Sequence, residues 1–266
     1  MTQVKAYTPG LYARAAEQDR DAQRQDFLTA QRESGMDYFS DGLLEWEDLS
    51  APLSKLACAP VPDAEPSEPL GESYFRVSEL PRGRWFATSP SPLALAHDAE
   101  TPARQAAALL SPQIAWAADN GCAFVVLQET RMPEERDLAD LEEAIEALQS
   151  TLPLVLRLPA GDASDVMPGV LDLPVEAVGV DMTSTYIEKL PDPFPKTLLA
   201  GVVDSEDPRA EKPPEVAARY ESLLQRLDDK ADLHLAPNGD LRQLTPEQAE
   251  RKVRALGDAA RILRGG

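Results

Sequence analysis

Cysteine and histidine are almost missing: the 266 residues include two of each. Two thiols, Cys58 and Cys122, cannot build a disulfide framework, and both read as ordinary buried thiols. No Cys-x-x-Cys or His-x-x-x-His spacing occurs, which excludes a zinc motif of that kind. No apolar run approaches the roughly 18 residues of a membrane span. The opening "MTQVKAYTPG" lacks the apolar core of a secretory signal, so none is expected. Positive charge is scarce as well. Lys and Arg number 26 against 46 Asp and Glu, a formal charge of -20. Such a chain repels nucleic acid and anionic membranes. The expectation is an acidic, soluble, cytoplasmic protein with neither as a partner.

What is present is a repeated alternation of apolar strand and amphipathic helix. "RAAEQDRDAQRQDFLTAQRES" reads as a first helix closed by Gly35, followed by "MDYFSDG" as strand and turn. Residues 50–82 are rich in Pro, Ala and Ser and lack periodicity, so they form an irregular excursion, with "SYFRVSEL" at its end as a short hairpin strand. Regular alternation follows. Strands are expected near 36–40, 84–88, 122–128, 153–158, 175–181, 197–203 and 231–236, with one more near "VKAYTP". Helices are expected over "TPARQAAALLSPQIAWAADNG", "MPEERDLADLEEAIEALQS", "PPEVAARYESLLQRLDD" and "TPEQAERKVRALGDAARILR". The last opens with Thr245 as N-cap, Pro246 at the first position and Gln248 three residues on. Continuously apolar strands separated by helices imply a parallel sheet covered on its faces. About eight strands suggest a single-domain (β/α)8 TIM barrel over residues 1–266, with a doubly wound open sheet as the alternative. No Gly-x-Gly-x-x-Gly turn follows a strand, which argues against a dinucleotide site.

In such a barrel the chemistry sits at the C-terminal strand ends. Those ends carry Asp41, Ser89, Gln128, Glu129, Arg157, Asp181, Asp204, Asn238 and Asp240. Asp204 and Asp240 read equally well as turn or cap residues. Arg157, inside "LVLRLP", reads as a structural ion pair or as an anion contact in the mouth. It is expected within reach of Asp181 or Glu129, whose strands flank its own. His234, between Leu233 and Leu235, points inward with Ala236 as a core histidine or as a base. His97 in "LALAHDAE" reads as a loop residue ahead of a helix.

Four segments taken in order resemble the catalytic barrel of cobalamin-independent methionine synthase, within the fold group that includes uroporphyrinogen decarboxylase. They are "QRESGMDYFSDGLLEWEDL", "ADNGCAFVVLQETRM", "AGVVDSEDPRAEKPPEVAARYESLL" and "HLAPNGDLRQLTPEQAERKVRALGDAAR". The resemblance implies a zinc site built from His-x-Cys after one strand, a Glu after the next, and a Cys in the last loop. Here those positions carry Arg157 with Pro159, Asp181 and Gly239. A single oxygen donor cannot replace two thiolates and an imidazole, so no metal is expected at this site. Cys122 opens its strand at the far end of the barrel, which leaves Cys58 as the one substitute thiol. Two acidic positions of the family's amino-acid pocket are Leu43 and Gln128 in this chain. With Arg157 added, the site favours an anionic ligand.

Two readings follow. One is a methyltransferase-like enzyme acting on a small thiol or anionic molecule, or on a folate-like methyl donor. It would use Glu129, Asp181 and His234 for proton transfer and Arg157, Gln128, Asp41, Ser89, Asp204, Asn238 and Asp240 to bind the ligand. The other is a non-catalytic barrel that binds a small molecule or a partner, with the Pro-rich stretch 50–72 as a contact.

Overall fold

The computed structural model describes residues 2–16, 18–50, 53, 70–71 and 74–265. Most of the Pro-rich stretch, with Cys58, lies outside the described residues. Seven parallel strands form one sheet: β1 (Val4–Ala6), β2 (Trp85–Pro90), β3 (Cys122–Gln128), β4 (Leu154–Arg157), β5 (Ala177–Asp181), β6 (Thr197–Val203) and β7 (Leu233–Pro237), in the order β1-β7-β6-β5-β4-β3-β2. Between them run α1 (Arg20–Glu33), α2 (Pro92–Asp98), α3 (Ala103–Asp119), α4 (Leu138–Ala147), α5 (Met167–Val170), α6 (Pro213–Tyr220), α7 (Leu223–Arg226) and α8 (Pro246–Leu263). None of these helices is long and apolar enough to cross a membrane.

Period-2 side-chain alternation divides the apolar residues into two cores. Tyr7, Phe86, Phe124, Val126, Val155, Ala177, Leu199 and Ala236 pack on the concave face of the curled sheet. Their neighbours Ala87, Val125, Leu127, Leu156, Val178, Leu198 and Leu235 pack beneath the helices. A sheet buried on both faces must be apolar at nearly every position, which is why these strands read as continuous runs. The rings of Tyr7, Phe86 and Phe124 lie 4.9–5.3 Å apart, a spacing at which each pair contributes about 0.5–1.5 kcal/mol beyond its burial.

The sheet is a seven-stranded ladder, and an eighth strand at 36–40 is not formed. Only Phe39 bridges, to Trp85. Asp37 is the reason: its carboxylate takes the Ala6 N–H at 2.7 Å, where a strand would present a carbonyl. The segment still bonds both edges, through Asp37 N–H to Ala6 O at 2.9 Å and Phe86 N–H to Phe39 O at 3.0 Å. "SYFRVSEL" makes no strand among its described residues. Its backbone turns, Leu80 N–H bonding Val77 O, and Arg76 N–H goes to the Asp41 carboxylate at 2.9 Å. The first helix begins at Arg20, later than periodicity suggests, because Asp19 caps it by accepting from Asp21 and Ala22 N–H. "PLALAHD" is itself a helix, α2, capped by Ser91. The α8 start has the full capping box between Thr245 and Gln248, and Gly35 and Gly121 take the left-handed conformation that ends α1 and α3.

Candidate functional site at the C-terminal strand ends

Parallel strands bring the ends of β3, β4, β5, β6 and β7 to one rim, and five of the expected residues converge there in two clusters. The first is built around Arg157. Its guanidinium leaves β4 and crosses the mouth, where burial lowers its pKa against the opposing pull of Asp240. Nη1 donates to Gln128 Oε1 at 2.9 Å and to Pro9 O at 3.4 Å, and Nη2 donates to Pro237 O at 3.1 Å. The ion-pair partner is Asp240, at 3.5 Å. Asp181 acts on the guanidinium through its field, and Glu129 meets Arg157 through the backbone, N–H to O at 2.9 Å. Asp240 Oδ1 also accepts from Gln128 Nε2 at 3.2 Å and from Leu11 N–H at 3.3 Å. Gly10 N–H donates to Thr88 Oγ1, so residues 9–11 are laid across the mouth.

Glycines make this crossing possible. A Cβ at Gly179 would stand 3.0 Å from the Arg157 Cα, and one at Gly10, whose φ is +89°, would collide with the Asp240 carboxylate. Beside the cluster is a cleft of about 430 Å³ that Leu11, Asp48, Asp98, Gln128, Thr130 and Asp240 help to line.

The second cluster is built around Asp181. Its carboxylate accepts from Thr183 N–H at 2.8 Å, Thr183 Oγ1 at 2.6 Å, Gly161 N–H at 2.9 Å and Asn238 Nδ2 at 3.3 Å. Burial acts to raise its pKa, but the hydrogen bonds together hold it below the ordinary aspartate value. Asn238 is fixed at both ends, accepting from Ser205 N–H at 2.8 Å and donating to Thr183 Oγ1 at 3.1 Å.

The remaining residues lie elsewhere. Glu129 follows the inward Gln128 and so turns outward. It is buried beside the Ser91 hydroxyl, which caps α2 through Ala94 N–H, and neither carboxylate oxygen has a partner. Burial pushes its pKa up to about 7. Ser89 also turns outward, its buried Oγ unpartnered near Tyr74. Asp41 accepts from Leu43 and Arg76 N–H, tying two loops, and burial raises its pKa. Asp204 accepts from Glu206 and Asp207 N–H as a turn residue does. His234 is in the lower half of β7, in register with Lys5 of β1. Its Nδ1 is 3.2 Å from Tyr7 Oη and its Nε2 has no partner; burial and then the Lys5 charge push its pKa down to about 4. His97, in the last turn of α2, is against Arg131.

Sequence reading missed Thr183, Gly10 and Tyr7. The Asp-x-Thr spacing after β5 was a usable signal, since a side chain two residues on can bond an Asp that ends a strand.

The four positions that the family resemblance assigns to zinc do not fit the metal. Arg157 brings a cation, Pro159 has no donor, and Asp181 has its oxygens taken by four hydrogen bonds. Gly239 backs onto Ser205, and any Cβ there would collide with the serine hydroxyl. Among the described residues, no three His, Cys, Asp or Glu side chains group as metal ligands.

No family model matches the chain, and no curated protein does. Solved structures do. A B12-independent methionine synthase from Shewanella sp. W3-18-1, solved in complex with selenomethionine, is similar with a TM-score of 0.72 and 17% identity over 99% of this chain and 96% of that one. A putative vitamin-B12 independent methionine synthase from Listeria monocytogenes is similar with a TM-score of 0.69 and 16% identity, over 98% and 99% respectively. The chain has the α/β fold of these B12-independent methionine synthase structures, with seven parallel strands in one curled sheet in place of the closed eight-stranded barrel expected from the sequence.

Proposed function

We propose that the protein is a divergent methionine-synthase-like barrel that binds a ligand or partner at its strand-end rim and does not catalyse zinc-dependent methyl transfer. The segment 37–39, bonded to both β1 and β2, would act as the eighth element that closes the barrel. The observation that carries the reading is the Arg157 crossing. A buried cation fills the mouth, and Gln128, Asp240 and the carbonyls of Pro9 and Pro237 use its donors. Anion recognition through Arg157 is correspondingly disfavoured, because its charge is already balanced and the adjoining cleft presents Asp48, Asp98 and Asp240. The test is a methionine-formation assay with methyl-folate and homocysteine, with and without added zinc, beside metal analysis of the purified protein. No methionine and less than stoichiometric zinc are expected. Zinc-dependent methionine formation would overturn the proposal, and its loss in Cys58→Ser would identify the rescuing thiol.

A zinc-free enzyme is the second reading, favoured by Glu129. A buried carboxyl with no partner and a pKa near 7 is suited to proton transfer at neutral pH. Turnover of a thiol or folate substrate that Glu129→Gln abolishes, with folding intact, would establish this reading over the first.

A further inference from the structure

A cavity of about 590 Å³ opens between the turn that follows β5 and the junction of α6 with α7. Part of its wall is fixed from within. Thr183 Oγ1 donates to Asp181 and accepts from Asn238, Thr185 Oγ1 accepts from Ala163 N–H at 3.0 Å, and Tyr220 Oη donates to Met182 O at 3.1 Å. Four other lining residues are unused. Among the described residues, the side-chain oxygens of Tyr186, Glu188 and Ser222 take no hydrogen bond or ion pair. The Arg219 guanidinium takes none either and lies over the Tyr220 ring, 5.3 Å from its centroid. Glu188 and Arg219 thus line one cavity with opposite charges and do not pair with each other. Tyr186 is 67% exposed, the most exposed large hydrophobic side chain among the described residues. Lys189, paired with Asp162, sits over one face of its ring at 5.8 Å. An amphipathic ring of that exposure suits a ligand with one apolar face and one wet edge.

We propose that this cavity is a binding site for a neutral saccharide. A sugar hydroxyl both donates and accepts, whereas a carboxylate only accepts and a guanidinium only donates. Two vicinal hydroxyls therefore give their protons to Glu188 and take N–H groups from Arg219 at once, Ser222 serves either way, and the C–H face of the sugar covers Tyr186. The fixed wall leaves little ordering to oppose binding. A free anion is a poorer match, because Glu188 opposes Arg219 in the same cavity and the chain carries a formal charge of -20. A metal ion is poorer still, since hard cations take several carboxylate and carbonyl oxygens and no three His, Cys, Asp or Glu side chains group among the described residues. Glu129 and the Arg157 crossing take no part in this site, so it goes beyond the reading above and stands whether or not the rim is catalytic.

Amide NMR titrations of the isotope-labelled full chain with maltose, lactose and mannobiose test the site, with glycerol and inorganic phosphate as comparators. Saturable shifts are expected with at least one disaccharide, centred on residues 183–188 and 219–222, at an affinity about tenfold or more above that for glycerol or phosphate. Tyr186→Ala and Arg219→Gln should each weaken binding about tenfold. Both side chains are exposed, so the melting temperature should not move. Absence of saturable shifts with all three disaccharides, shifts centred elsewhere, equal affinity for phosphate, or full affinity retained by either variant would each overturn the proposal.

Discussion

Two carboxylates end apolar strands of the same sheet and meet opposite fates. Asp181, closing β5, accepts four hydrogen bonds and is held ionised. Glu129, just past β3, is equally buried, accepts none, and is pushed up to about 7. The difference arises from direction. Asp181 is the last strand residue and meets the donors of the next turn and of Asn238. Glu129 is one residue beyond Gln128, and a shift of one position turns a side chain from the mouth to the helix layer. A polar residue at a strand end therefore says where it is along the strand; its parity says what it meets.

The largest test of the paired side is Arg157→Met. It would leave Asp240 and two buried carbonyls without their donor, at a cost of about 3–5 kcal/mol, the range for breaking one side of a buried pair. Urea unfolding measures it, and a cost below about 1 kcal/mol would show that the crossing is not a structural tie. Asp181→Ala should cost about 3 kcal/mol by the same measurement, because Gly161 and Thr183 N–H and Asn238 Nδ2 lose their acceptor. Gly239→Cys should cost about 1–3 kcal/mol for forcing a side chain onto Ser205, and Ser205→Gly in the same chain should recover most of it.

A pH-dependent effect separates the two carboxylates by sign. Folded Glu129 keeps its proton up to about 7, whereas the unfolded chain releases it near 4.5. Stability therefore falls as pH rises through that window, by up to about 1.4 kcal/mol per pH unit. His234 works oppositely. The unfolded chain takes a proton near 6.5 that the folded protein refuses until about 4, so stability falls as pH drops through that range. The two slopes oppose each other from about 4.5 to 6.5, leaving a nearly flat profile. Glu129→Gln should raise stability by less than about 1 kcal/mol at pH 5 and by about 3 kcal/mol at pH 8, and expose the His234 slope. Asp181, held low, contributes stability above the ordinary aspartate value of 3.8 that is lost as pH falls through its folded value. Equal acid and base effects of Glu129→Gln in unfolding at pH 5 and 8 would erase the contrast.

Strands were legible within a residue or two because burial on both faces forces unbroken apolar runs, as in "CAFVVLQ" and "TLLAGVV". The α8 start was legible because Thr245, Pro246 and Gln248 each have a local job. Position 36–40 was legible as extended chain but not as a bridge, since the bond from Ala6 N–H to the Asp37 side chain is set by a strand 31 residues away. The same limit applies to the rim. That Arg157, Asp181, Asn238 and Asp240 would gather there follows from parallel strands; that Arg157 would choose Asp240 does not, because the choice depends on residues 9–11 folding over the mouth.

Arg157 bonds residues 29, 80 and 148 positions away in the chain. Contacts that close such long loops carry a large entropic cost and are made late in folding, after nearest-neighbour strands have paired. The crossing is therefore expected to form after the transition state, so that its energy acts on the way out of the native state. Arg157→Met should leave the refolding limb of a chevron almost unmoved and speed unfolding by two to three orders of magnitude, roughly what about 3–4 kcal/mol yields when the residue's φ-value is near zero. On that expectation, one guanidinium at the rim would set how long the folded chain persists.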